Sequence, residues 1–208
     1  MDLTLGWSLI AFVPAALALN LTPGADMLFC VAQGARNGPR AAVAASAGIS
    51  TGSMVHVTLA GLGLGALIAR FPVALDLIRW LGAAYLLWLA WKTLTTPIGG
   101  DPSGGKAASR PFRDGVVVNL TNPKVILFVL AFIPQFVVPG HGILGQFLLF
   151  GAILAVGGFL VNSVVGIFAG QFGRRLARNA TLAKVLRGVI ATIFGGLAIR
   201  LALTAQRS

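Results

Sequence analysis

From Ile143 to Phe172 the chain runs thirty residues without an Asp, Glu, Lys or Arg. Such a stretch cannot cover a water-facing surface, and it exceeds the ~20 apolar residues that a helix needs to cross a bilayer. Long apolar runs recur along the whole chain. The composition agrees, with 57% hydrophobic and 10% charged residues and a mean hydropathy of +0.89, where a soluble domain carries about 25% charged residues. In 208 residues about six crossings fit, which leaves no room for a separate soluble domain. The expected fold is an all-α membrane protein whose helices pack on one another within lipid.

Six spans are predicted: Leu5 to Gln33, Ala41 to Ala69, Leu75 to Leu94, Gly115 to Val138, Ile143 to Phe172 and Leu186 to Leu203. The triplet Ala16-Leu17-Ala18 mimics a signal-peptide cleavage site. A basic leader is missing, however, and the apolar run continues past it, so the segment is read as a retained first helix. A Gly-, Pro- and Ser-rich stretch, residues 95–114, divides the chain into halves 1–94 and 115–208 and reads as a flexible linker. The formal charge of +11 does not indicate nucleic acid, because the basic residues lie in short loops and not on one face. Arg36, Arg40, Lys92, Lys106, Arg110, Arg113, Arg174, Arg175, Arg178, Lys184 and Arg187 all fall on one side of a six-span path. The positive-inside rule makes that side cytoplasmic and puts both termini outside.

The halves resemble each other. Asn20-Leu21-Thr22 recurs as Asn119-Leu120-Thr121, and Leu28-Phe29 recurs at the same spacing as Leu127-Phe128. A proline, Pro23 or Pro123, follows each tripeptide midway along an apolar helix. Three crossings per half is an odd number, so the second half must insert upside down. That is the inverted repeat of many secondary transporters.

Two charges sit deep in these segments. Asp26 lies ten residues before Arg36 and Lys124 eleven after Arg113, so both are ~15–16 Å from the cytoplasmic ends at the helical rise. A charge at that depth costs at least ~2.5–3.5 kcal/mol and is kept where it pairs or lines a wet cavity. A buried Asp26–Lys124 pair that only ties two helices is one reading, but it leaves the adjacent prolines unexplained. Pro23-Gly24 and Asn122-Pro123 should break helices one and four, and each break starts a half-helix whose free N–H groups face the midplane. Gly24 is expected there for its freedom of dihedral. Two positive helix ends, an ammonium and a carboxylate then converge, a setting for a small zwitterion such as an amino acid. The candidate substrate-binding residues are Asn20, Pro23, Gly24, Asp26, Asn119, Asn122, Pro123 and Lys124.

Other features have plainer readings. His56 is expected to be a hydrogen-bonded packing residue, Cys30 a small apolar one, and Asn162 and Gln146 either cavity-lining or interhelical. Trp7, Trp80, Trp88 and Trp91 read as interfacial anchors or packing residues. Gly48 with Gly52, Gly61 with Gly65, and Gly166 with Gly170 read as helix contacts within the bundle, with a homodimer seam as the alternative. No phosphate-binding loop, metal-ligand spacing or clustered acid set is present in the sequence. This argues against a membrane enzyme acting on lipid and against an exporter of metal or inorganic ions. No cofactor is expected.

Leu21-Thr22-Pro23-Gly24-Ala25-Asp26 and Asn122-Pro123-Lys124, with Phe128 downstream, resemble the LysE/RhtB family of bacterial amino-acid exporters. Gly48, Gly52, the run Gly82-Ala83-Ala84-Tyr85-Leu86 ending at Lys92, Gly188 and Gly196 fit the same pattern. Ala25 departs from it, standing where members often carry a second proline. The resemblance implies export of amino acids or their derivatives across the cytoplasmic (inner) membrane, driven by proton antiport, with Asp26 the expected proton-coupling residue. Only Asp26 is available at the centre for a second cation, which argues against a lysine or arginine substrate.

Overall fold

The computed structural model describes residues 3–70, 74–95, 110–138, 142–169 and 180–205. Most of the linker and much of the basic loop before the last helix lie outside them. Eight α-helices and no strands occur among the described residues: α1 (Leu3–Leu21), α2 (Ala25–Asn37), α3 (Pro39–Arg70), α4 (Ala74–Thr95), α5 (Pro111–Leu120), α6 (Pro123–Ala131), α7 (Ile143–Ile167) and α8 (Ala180–Ala205). A 3₁₀ turn, Ile133–Phe136, follows α6.

Predicted helix one is α1 plus α2, bent by 53°, and predicted helix four is α5 plus α6 with its 3₁₀ turn, bent by 56°. Both bends fall at the expected prolines, where a backbone donor is lost. Helix four begins at Pro111, four residues before the predicted start, because proline suits a first helical position and Asp114 favours the first turn. The α-helix stops at Ala131 because Pro134 cannot continue it, and the chain tightens into the 3₁₀ turn. Gly38, at φ 84°, makes the sharp corner between α2 and α3 that a side chain would strain.

Among the described residues, Pro39–Gly63 and Ile143–Ile167 are each long and apolar enough to cross a membrane, and each bent pair qualifies as one further span. The long helices α4 and α8 pack along each other, and α3 lies against α5 and α7.

Glycines set how closely these helices approach. A Cβ at Gly34 on α2 would overlap the Gly166 carbonyl on α7, and one at Gly48 on α3 would overlap the Phe112 carbonyl on α5. A Cβ on Gly115 would stand 2.5 Å from the Ala45 carbonyl. Lipid offers no hydrophobic drive between helices, so this backbone proximity, with its dispersion contacts, holds α2, α3, α5 and α7 together. The opposite end is filled by aromatic rings. Phe12, Phe128, Phe132, Phe136 and Phe150 are all buried, with Phe128 and Phe132 centroids 4.5 Å apart and Phe12 and Phe150 4.9 Å apart. Such pairs add ~0.5–1.5 kcal/mol each beyond burial.

Cys30, the one cysteine of the chain, is buried in the glycine-packed end, 3.3 Å from the Ser46 hydroxyl. It therefore reports on that packing. Overpacking costs ~1–3 kcal/mol, and each ~1.4 kcal/mol is tenfold. Gly34→Leu is thus expected to raise the rate of Cys30 alkylation by a water-soluble maleimide about tenfold or more. An unchanged rate in a folded variant would show that the close approach does not shield this cysteine.

Candidate functional site

The repeated tripeptide does the same work at both breaks. Thr22 closes the end of α1 with its hydroxyl on the Ala18 carbonyl at 2.6 Å, and Thr121 closes α5 on the Val117 carbonyl at 2.9 Å. The two asparagines each reach a glycine surface on a neighbouring long helix. Asn20 donates to the Leu154 carbonyl of α7 at 3.2 Å and lies over Gly157 and Gly158. Asn119 lies over Gly52 of α3, where a Cβ would stand 2.9 Å from its own Cβ.

Asn119 also connects the two halves. Its amide donates to Asp26 Oδ2 at 2.9 Å, while its own oxygen lies 3.3 Å from the Ser53 hydroxyl. Asp26 is buried in the first turn of α2, where a carboxylate suits the positive helix end. Its Oδ1 has no hydrogen-bond partner among the described residues.

Lys124 donates to backbone. Its ammonium donates to the Leu19 carbonyl at 3.2 Å and the Thr22 carbonyl at 2.9 Å, the C-terminal end of α1. Carbonyls left open at a helix end need a donor, and a cation there also meets the negative pole of the dipole. An ammonium has three N–H bonds, so one remains. The first turn of α6 that carries Lys124 is fixed from two sides. Asn122 caps it, its side chain accepting from the Lys124 N–H at 3.0 Å, and the Tyr85 hydroxyl of α4 donates to the Lys124 carbonyl at 3.0 Å.

Gly24 differs from expectation in its reason. Its φ of −168° is extended backbone that any residue adopts. What it supplies is room, because a Cβ there would stand 3.2 Å from the Lys124 Nζ.

Asn20, Thr22, Asp26 and Lys124 line one cavity with Met27, Ser50, Ser53 and Asn162. Its volume, about 20 Å³, is room for a water molecule or so and far below the ~300–1,000 Å³ of a ligand pocket. Of the other candidates, Gly24, Asn119 and Asn122 hold its wall residues in place, and Pro23 and Pro123 make the breaks. Gln146 stands apart, its side-chain amide closing the loop at Val138. Along α7, Phe150 belongs to the aromatic cluster, Leu154, Gly158 and Asn162 to the cavity wall, and Gly166 to the close contact with α2. The cavity therefore lies between the ring cluster and the glycine contacts. Ser50, Ser53 and Met27 were missed from the sequence. The spacing of Ser46, Ser50 and Ser53 is the signal that could have found the serines, a polar stripe on one face of a helix.

The sequence profile described as LysE type translocator matches residues 17–205. This chain belongs to the LysE family. It is 36% identical to a protein named leucine efflux protein from Enterobacter sp., over 92% of this chain and 93% of that one. It is 36% identical to one named homoserine/homoserine lactone efflux protein from Salmonella typhimurium, over 70% of this chain and 72% of that one. An uncharacterized membrane protein of Vibrio cholerae is 31% identical over 93% of this chain and 95% of its own length. No solved structure matches. The family and the two relatives named for efflux are transporters, not enzymes, and the apolar helices agree with a membrane protein.

The crowding at Lys124 yields a test. Gly24→Ala is expected to push the ammonium off the Thr22 carbonyl and weaken transport several-fold while leaving thermal stability within ~1 kcal/mol, since only the end of a flexible side chain must shift. Transport equal to wild type would mean that Lys124 does not need the space.

Proposed function

We propose that this chain exports small amino acids or their derivatives from the cytoplasm by secondary transport coupled to protons. The carrying observation is the small cavity where two broken helices meet, with one carboxylate and one ammonium at its wall. A zwitterion complements this pair: its amine meets the unpartnered Asp26 Oδ1, and its carboxylate meets the remaining N–H of Lys124. A second cationic group on the substrate would find no second carboxylate among the lining residues. Neutral cargo is therefore favoured, in keeping with relatives named for leucine and homoserine.

On this reading α4 and α8, of 22 and 26 residues, complete six spans as two inverted halves. The matched work of Thr22 with Thr121 and of Asn20 with Asn119 supports that symmetry. A second copy of the chain is not required by the site, which one chain encloses. Both termini face outward, so alkaline phosphatase fused to the C-terminus is expected to be active and a fluorescent protein dark; the reverse would overturn the orientation. The aromatic cluster on one side of the cavity and the glycine contacts on the other are the two seals that a carrier opening alternately would release in turn.

Asp26 is assigned the coupling proton. In vesicles, Lys124→Ala is expected to abolish amino-acid transport with insertion intact, because the α1 carbonyls and the substrate carboxylate both lose their donor. Lys124→Arg is expected to fail as well, since a planar fork does not fit beside Gly24. Asp26→Asn should still exchange substrate at equilibrium but not accumulate it under an imposed pH gradient. Accumulation by that variant would place the proton elsewhere, and transport by Lys124→Ala would remove Lys124 from the site.

A further inference from the structure

The break at the end of α5 leaves carbonyl groups in mid-membrane just as the break at the end of α1 does, and Lys124 serves only the latter. The donor at the former is His56. Its Nε2 lies 3.3 Å from the Asn119 carbonyl oxygen, which also accepts the Asn122 N–H at 3.0 Å. A carbonyl only accepts, so Nε2 must carry the proton. Each broken helix thus ends on a side-chain donor from the other half of the chain: α1 on Lys124 of α6, and α5 on His56 of α3.

The consequence runs through Asn119. Its backbone is held by His56 and its side-chain oxygen by Ser53, one turn earlier on α3, and its amide then points at Asp26 Oδ2. Two residues of α3 thereby fix the group that orients the carboxylate. His56 also borders a second, apolar cavity of about 290 Å³ between α3 and α6, with Leu59, Ala60, Gly63, Ile126, Val129 and Leu130. The other wall residues there are apolar or glycine, so the imidazole is the polar group that this space brings within one residue of the Asp26 contact.

We infer that His56 is a positioning residue of the central site: its Nε2–H caps α5 and holds Asn119 so that the Asn119 amide stays on Asp26. This rests on the reading of that site as the substrate site, but the cap itself is testable without substrate. The chain has two histidines, so the imidazole nitrogens of ¹⁵N-histidine-labelled full-length protein in nanodiscs are assigned by comparison with His141→Asn. The expected spectrum shows a protonated Nε2 for His56. An unprotonated Nε2 would overturn the cap.

The second arm measures binding of leucine and homoserine to purified protein. His56→Leu is expected to weaken binding about tenfold, the effect of taking one of two donors from the buried carbonyl that holds Asn119 in place. His56→Gln, whose amide can supply an N–H at the same reach, should restore it. A general loss of packing would harm every background alike. His56→Leu added to Asn119→Ala should therefore cause no further loss if it acts through Asn119. A full additional tenfold loss, or a Gln variant as weak as Leu, would overturn the positioning role. Should neither amino acid bind the wild type, the substrate reading fails, and the ¹⁵N spectrum still decides the cap.

Discussion

Two helices that break inside an apolar bundle leave carbonyls that need donors from elsewhere in the protein. The rest of this structure depends on how those ends are met. For α1 the answer is the Lys124 ammonium, which binds the Leu19 and Thr22 carbonyls from the opposite half of the chain. The contact neutralises a helix end, gives a deep cation its partners and fixes α6 against α1. Asp26 then needs no ion pair with Lys124. It accepts from Asn119 and keeps one oxygen unpartnered among the described residues. A pair that had closed on itself would leave nothing for cargo, whereas this arrangement keeps one acceptor and one donor in reserve at a common wall.

The packing around the cavity uses two kinds of surface. On one side helices approach through glycine until backbone meets backbone, at Gly34 with Gly166 and at Gly48 with Phe112. On the other, five phenylalanine rings fill the space between α1, α6, the 3₁₀ turn and α7. The first surface is close-packed, and its separation loses dispersion contacts. Under the alternating access proposed above, the cavity of about 20 Å³ expands as one of these surfaces parts.

Much of this was legible in the sequence because it rests on local chemistry and on counting. Pro23 and Pro123 mark the breaks, and the similar distances of Asp26 from Arg36 and of Lys124 from Arg113 fit their place on one cavity wall. The six apolar runs gave the helices, with α5 starting earlier than the hydrophobic pattern suggested because Pro111 sets its first turn. Long-range partners were not legible. Nothing local tells that Lys124 reaches Leu19, that Gly24 is needed for room and not for its dihedrals, or that the hydrogen-bond partner of His56 is the Asn119 carbonyl. Those facts depend on which helix crosses which, and at what separation. The serines of α3 lay between, since their spacing describes a face but not what the face looks at.

We place the cargo in the cavity between the broken helices, and a structure with the exported amino acid bound decides that placement. The substrate carboxylate is expected on Lys124 Nζ and its amine on Asp26 Oδ1, with Ser50, Ser53 and Asn162 around it and the cavity enlarged. An amino acid found instead in the apolar cavity beside His56 and Leu130, with Asp26 and Lys124 bonded as they are here, would contradict it.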